Sequence, residues 1–292
     1  MTVKIMTDSA ADIQPELIQK YALALVPTVI RFGDEVFYEG VDITMDQYYE
    51  RFFAAEELPQ TANPTLAHQY ELFEKLGKEA DEVLNIVISS GISGSFNTAI
   101  NARRMYEKRV KNPAKIHIYD SKLATFGIGI IAIMASELAK NGKSAEEIIA
   151  ELDLFRSKLE VEFTVPDLIY LHKGGRLSKS KYWIANLMDM KPVICFNDGK
   201  MEVEKTVRGH QNAVIESFNL AYEKTGKPDK FNAYIMHARN IESANFLKEY
   251  IEEVIQPTDY NISIRDLGMT IVTHTGPGCI GLCLDTHYKF LQ

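Results

Sequence analysis

In the first half of the chain, short β-branched and aliphatic runs alternate with longer stretches whose apolar positions recur every three to four residues. Val3 to Thr7 reads as a strand, Pro15 to Tyr21 as a helix with proline in its first turn, and Leu25 to Phe32 as a second strand. Helices follow at Thr44 to Ala55 and at Pro64 to Ala80, the latter with Asn63 as the expected N-cap. The run Val83-Leu84-Asn85-Ile86-Val87-Ile88 within Glu82 to Ser89 is too continuously apolar for a half-exposed strand and predicts a buried one. Gly94 to Arg109 reads as a helix, Lys115 to Tyr119 as a strand, and Ala124 to Lys140 and Ser144 to Leu159 as helices divided by Asn141-Gly142. Alternating strands and helices predict a largely parallel sheet covered on both faces.

From Val161 the pattern changes. Val193 to Phe196, the turn Asn197-Asp198-Gly199 and the alternating Met201 to Val207 predict a hairpin. Helix, strand, helix and strand are then expected at Gln211 to Thr225, Phe231 to His237, Ser243 to Ile255 and Asn261 to Asp266, with a last apolar run from Ile280 to Leu284. The expected organisation is an α/β lobe over residues 1–160 and a second, mixed α/β lobe over 161–292, with a cleft between them as the default ligand site. No internal repeat or flexible linker interrupts it.

Composition narrows the function. Thirty-two Lys and Arg against 40 Asp and Glu give a net charge of −8, which argues against a nucleic-acid-binding protein. With 46% apolar and 25% charged residues, and 14 Phe, 14 Tyr and 1 Trp, the chain is expected to fold around a substantial core. An acidic residue at position 8 precedes any signal-type run, and no stretch approaches the roughly 18 apolar residues of a membrane span, so a soluble, cytoplasmic protein is expected. The three cysteines, Cys195, Cys279 and Cys283, form no C-x-x-C pair and suit a reducing compartment.

Several turns carry candidate chemistry. Thr7-Asp8-Ser9-Ala10-Ala11-Asp12 follows the first strand; its acids and hydroxyls suit a metal or a polar substrate, while helix capping accounts for them without any ligand. Ser89-Ser90-Gly91-Ile92-Ser93-Gly94-Ser95 ends a buried strand and opens a helix, so amide N–H groups and hydroxyls gather at the positive end of a dipole, an arrangement suited to a carboxylate or phosphate. It is neither the G-x-S-x-G of a nucleophile elbow nor a P-loop. Thr61-Ala62-Asn63-Pro64-Thr65 places a hydroxyl beside a proline-started helix, and Leu171 to Lys181 is a basic loop in an acidic chain. His274 precedes the rigid Gly276-Pro277-Gly278 turn and reads as a strand-end histidine; a metal set of Cys279, Cys283 and His287 matches no standard zinc spacing.

In order along the chain, T-D-S-A-A-D, T-A-N-P-T, S-S-G-I-S-G-S, Y-D-S-K-L-A-T-F-G-I-G, L-H-K-G-G-R-L-S, K-P-V-I and H-T-G-P-G-C-I-G-L give a combination that resembles the DegV family from about Val3 to Leu284. The resemblance implies a two-lobed DegV-like α/β fold with a Rossmann-like N-terminal lobe. It further implies a protein that holds one long-chain fatty acid, such as palmitate, stearate or oleate, in a buried tunnel and offers its carboxylate to a separate ATP-dependent fatty acid kinase for acyl-phosphate formation. Such a carrier has no catalysis of its own and needs no cofactor, no metal and no nucleic acid, and touches a membrane surface at most transiently. The carboxylate-binding positions fall on Thr61, Ser93, His274 and Arg176, with Gly94, Ser95, Gly276 and Gly278 in support. Lys173, Lys205 and Arg208 are the expected kinase-docking residues. The sequence departs from the family's pattern in T-A-N-P-T for T-S-Q-P-S, in His172 and in Cys279.

Hydroxyls and helix-terminus amides satisfy a carboxylate that is costly to bury alone. Burying about fifteen methylenes at about 0.8 kcal/mol each contributes roughly 12 kcal/mol before ordering costs. Two other readings remain: a serine hydrolase using Ser93 and His274, and a regulatory or interaction protein that binds no lipid.

Overall fold

The computed structural model describes residues 2–177 and 189–287, so Ser178, Lys179, Ser180 and Lys181 of the basic loop lie outside the described residues. Two compact units emerge: unit 1 comprises Met1–Arg156 with Gly268–Thr270, and unit 2 comprises Ser157–Leu267 with Ile271–Gln292.

Unit 1 opens with β1 (Val3–Asp8), the short helix α1 (Pro15–Lys20) started by Pro15, and β2 (Ala24–Val26). The predicted strand Leu25 to Phe32 is in fact two. Proline lacks an amide N–H for a ladder, and beyond Pro27 the chain leaves the first sheet and forms β3 (Val29–Phe32), followed by β4 (Glu35–Tyr38). Next comes α2 (Met45–Ala54), fixed by a capping box in which Gln47 N–H donates to Thr44 Oγ1 (3.3 Å) and Thr44 N–H to Gln47 Oε1 (3.0 Å). The three residues of β5 (Gln60–Ala62), too few for any periodicity to show, pair antiparallel with β3, which pairs antiparallel with β4. The cap of α3 (Leu66–Leu76) is Thr65, whose Oγ1 accepts from His68 N–H at 3.1 Å, and not Asn63 as predicted.

A buried β6 (Glu82–Val87) then leads into α4 (Ser95–Arg109), β7 (Lys115–Asp120), α5 (Phe126–Lys140) and α6 (Ala145–Arg156). The predicted last turn of α6 is absent because Leu159 already belongs to the next strand. The sheet order is β2-β1-β6-β7, parallel throughout. Eleven of the 15 residues of α5 are buried, which explains why its apolar positions show no one-sided stripe. On the same sheet, Met6, Phe73, Val83, Ala102, Tyr106 and Ile116 form a continuous apolar core.

Unit 2 carries β8 (Leu159–Thr164), the short α7 (Ile169–Lys173), β9 (Met190–Asn197), β10 (Lys200–Arg208), α8 (His210–Lys224) and β11 (Lys230–His237). It continues with α9 (Ile241–Tyr250), which ends in a π turn at Ile251–Ile255, then β12 (Asp259–Asp266), α10 (Met269–Thr275) and β13 (Ile280–Asp285). The six-stranded sheet runs β10-β9-β8-β13-β11-β12, with β11 and β12 parallel and the other neighbours antiparallel. The β9–β10 hairpin turns at Asp198 and Gly199, both at positive φ (43° and 78°), as a tight Asp-Gly turn requires. Phe218 and Ala221 of α8 pack on Phe231, Ala233 and Leu282 to form its core. The predicted strand-end His274 instead lies in α10, whose Thr270-Ile271-Val272-Thr273 run is β-branched and misreads as extended chain.

Candidate functional site

The turn between β6 and α4 leaves the sheet at its C-terminal edge, where parallel sheets present loops to ligands. Its serines divide into two groups. Ser89 and Ser90 hold the turn itself: Gly91 N–H donates to Ser89 Oγ (3.1 Å), and Ser90 donates through Oγ and N–H to the two oxygens of Asp120 (2.5 and 3.1 Å). Ser93 and Ser95 lie at the helix start, with their hydroxyls 3.0 Å apart, and Ser93 Oγ donates to Asn63 Oδ1 at 3.0 Å.

Asn63 thereby ties the turn to β5, where Thr61 sits opposite Ile30, partly buried. A Cβ added at Gly94 would lie 2.6 Å from Asn63 Nδ2, so glycine is what lets the amide approach. Gly94 is also the N-cap residue and offers no side-chain cap to the first turn of the 15-residue α4. A partly buried helix N-terminus carrying two serine hydroxyls is electrostatically suited to a carboxylate. Asn63 was missed as a site residue because the same sequence position reads naturally as a helix cap.

His274 and Arg176 come together in unit 2 around Gly174. A Cβ there would lie 2.4 Å from His274 Nδ1, and Arg176 Nη1 donates to the Gly174 carbonyl at 2.5 Å. Burial, reinforced by the Arg176 charge, pushes the His274 imidazole down to about 3, so the ring is neutral at ordinary pH. Burial also lowers the Arg176 guanidinium. Gly276 and Gly278 both hold positive φ (76° and 89°), and Cβ atoms there would meet Tyr170 at 2.3 Å and Pro166 at 2.6 Å. The Gly278 N–H donates to the Ala238 carbonyl at 2.7 Å, locking the turn that follows α10.

The three predicted docking cations differ. Lys173 ends α7 and is exposed. Lys205 Nζ is engaged by Glu216 at 2.5 Å, and Arg208 lies 3.8 Å from Asp189.

The metal set of Cys279, Cys283 and His287 does not assemble among the described residues. Burial pushes the Cys279 thiol up to about 12 and Cys283 well above its usual range. The ligand atoms that do approach one another are those of Glu162, Cys195 and Glu204, and Lys224 Nζ already donates to both carboxylates (2.6 and 2.5 Å).

The turn after β1 departs from the capping expectation. Asp8 makes no side-chain cap; its Oδ2 accepts from Ile88 N–H at 3.3 Å. Ser9 and Asp12 bind Glu39 and Thr125 respectively.

A model of the DegV family matches residues 2–287. The chain belongs to the DegV family. Among its DegV relatives, Protein DegV of Bacillus subtilis is 31% identical over 285 residues, 97% of this chain and 99% of that protein. A crystal structure described as DegV, a fatty acid binding protein from Bacillus subtilis, superposes with a TM-score of 0.85 at 31% identity, covering 99% of this chain and 100% of that one. A stearic acid-binding protein from Eubacterium ventriosum gives 0.86 at 27% identity, covering 98% and 99%. The DegV fold expected from the motifs is thus the fold found, and among the described residues no helix is long and apolar enough to cross a membrane.

Proposed function

We propose that this DegV protein binds one long-chain fatty acid in an interior tunnel and presents its carboxylate to a separate ATP-dependent fatty acid kinase. The observation that carries this reading is the Ser93–Ser95–Asn63 cluster at the N-terminus of α4. Its donors match a carboxylate, and the relatives described as fatty-acid-binding make a long-chain acid the natural bearer of it. Thr61, Ser93, His274 and Arg176 are the proposed carboxylate-binding residues. As a neutral ring, His274 acts as a hydrogen-bonding partner and not as a counter-charge.

The hydrolase reading draws little from a serine whose hydroxyl partners are Asn63 and Ser95, neither of them a base. Native mass spectrometry of protein purified without detergent tests the carrier reading directly. A stoichiometric long-chain fatty acid adduct is expected; a clean apo mass that takes up no added acid overturns it. Addition of an ATP-using fatty acid kinase to the loaded protein should yield acyl-phosphate, trapped with hydroxylamine as the hydroxamate, and no hydroxamate should form without the kinase.

A further inference from the structure

The six-stranded sheet of unit 2 ends in two edges of opposite character. Along β10 the register against β9 breaks between Val203 and Lys205, so Glu204 bulges out, and Lys200, Glu202, Lys205 and Arg208 are exposed. A bulge and a row of charged side chains are the devices that keep a sheet edge from pairing with another chain. β12 has neither. Its eight residues pair with β11 without a break in register, it contains no lysine and no proline, and among the described residues no strand pairs with its other side.

Hydrogen bonds at the two ends of β12 fix which backbone groups point outward. Asp259 N–H donates to the Asp229 carbonyl at 3.3 Å, and Leu267 N–H to the His237 carbonyl at 2.9 Å. Bonding residues alternate along a parallel ladder, so in this unbroken register the odd-numbered positions from Asp259 to Arg265 turn their backbone groups to β11. Tyr260, Ile262 and Ile264 turn theirs to the open side. Exposed apolar groups accompany them: Tyr260 is 39% exposed, and Val254, in the π turn that precedes the strand, is 63% exposed. Within the chain Asp259 makes an exposed ion pair with Lys230 at 3.5 Å. On the same face of the strand, Arg265 donates to Ser263 Oγ at 3.2 Å and lies over the Tyr234 ring at 5.7 Å.

The strand is complementary to itself. When two copies pair antiparallel about a twofold axis normal to the sheet, outward-facing residues meet only if the axis passes beside a residue and not between two. With the axis at Ile262, Asp259 of each copy faces Arg265 of the other, and Asn261 faces Ser263. These are the non-hydrogen-bonded positions, where side chains lie closest and opposite charges attract. Tyr260 then faces Ile264, and Ile262 faces its own copy, in the hydrogen-bonded positions, for about six backbone hydrogen bonds across the axis. Moving the axis to Asn261 or to Ser263 puts Asp259 opposite Ser263 or Leu267 and loses both charge pairs. We propose that β12 is a dimerisation edge, at which two copies of this chain pair antiparallel about an axis at Ile262 and join their six-stranded sheets into one.

The tests do not depend on any bound lipid. Light scattering coupled to gel filtration should show a mass that rises toward twice that of the chain as concentration is raised. A single-chain mass at every concentration into the millimolar range overturns the proposal. Asp259→Arg should weaken the dimer about tenfold, because two attractive cross-strand pairs become repulsive, and Asp259→Arg combined with Arg265→Asp should restore it. A dimer indifferent to Asp259→Arg, or one that a stably folded double variant fails to restore, uses another surface and overturns this one.

Single cysteines read the register directly, and they decide the matter if the double charge reversal loses stability in urea. Ile262→Cys places each new thiol opposite its own copy, within the roughly 4.4–6.8 Å between Cα atoms that a disulfide spans. Oxidation by copper phenanthroline should then give a covalent dimer on a non-reducing gel. Asn261→Cys faces Ser263, so its own copy lies on the diagonal at about 7–8 Å, and no cross-link should form. The native Cys195, Cys279 and Cys283 are all buried, and the wild-type chain under the same oxidation gives the background. Equal cross-linking of the two variants, or none from Ile262→Cys, overturns the pairing.

Discussion

The turns after β1 and β6 leave adjacent parallel strands at the same sheet edge, and both are built from small polar residues. After β1 the polar atoms are turned inward: Asp8 is fully buried, and Ser9 joins a network with Thr28 and Glu39. After β6 two serines are used in the same way, on the turn and on Asp120, while Ser93 and Ser95 stand at the helix start, where Ser93 Oγ accepts from Ser95 N–H at 3.2 Å. Polar composition alone therefore does not mark a ligand site. What separates the two turns is chemistry and setting: buried carboxylates after β1, with Asp8 Oδ1 and Asp12 Oδ1 left without a hydrogen-bond partner, against serine hydroxyls gathered at a helix start after β6.

The largest effect should come from the inward turn. Burial, with Glu39 adding to it, raises the Asp8 carboxyl from 3.8 to about 7. The folded state then binds a proton more tightly than the unfolded chain, so stability is favoured at low pH and falls as pH rises from about 4 through about 7. The full span corresponds to a loss on the order of 4 kcal/mol. Asp8→Asn should remove that slope and raise stability at pH 8, measured by urea denaturation at a series of pH values. A slope equal to that of the wild type would mean that the proton resides elsewhere.

The outward turn should respond in the opposite sense, in ligand affinity with little change in stability. Removing two hydrogen bonds to a charged group, at about 1.5 kcal/mol each, predicts that Thr61→Ala combined with Ser93→Ala weakens fatty acid retention about 100-fold. The urea midpoint should move little, because Ser93 loses only its bonds to Asn63 and Ser95. Unchanged retention would remove these residues from the head-group site.

A smaller effect sharpens the boundary between the two kinds of polar group. Asn63→Ala withdraws the acceptor that orients the Ser93 hydroxyl and should reduce retention several-fold, about the worth of one neutral hydrogen bond. Gly94→Ala should act similarly by displacing the Asn63 amide from 2.6 Å. Isothermal titration with a long-chain acid separates these outcomes from the double variant. If either variant binds as tightly as the wild type, Asn63 is merely structural.

The sequence made the outward turn legible, and the inward one only in composition. A buried strand followed by S-S-G-I-S-G-S and an amphipathic run states locally that hydroxyls will meet a helix N-terminus. No local rule pairs Asp12 with Thr125, 113 positions away, or Glu39 with Thr270, 231 positions away. The Glu39–Thr270 contact exists because the chain from β12 into α10 returns to unit 1 at Gly268–Thr270. The division of Leu25 to Phe32 was readable in principle, since Pro27 stands inside it. The helical state of Thr270 to Thr275 was not, because its β-branched residues favour strand and tertiary packing overrides that preference.

The smallest effect extends the same distinction to the surface. Lys173 is exposed at the end of α7, and among the described residues it forms no ion pair, so its charge is available to a partner. Lys205 is held by Glu216, which also raises its ammonium above the ordinary lysine value. A charge already neutralised within the chain contributes less to the long-range field that steers association. Lys173→Ala should therefore slow acyl-phosphate formation with a kinase more than Lys205→Ala does, and both variants should retain fatty acid normally. The difference should shrink as salt is raised, because screening removes the contribution of an exposed charge first. Equal rates for the two variants at low salt would show that engagement within the chain does not govern availability on this surface.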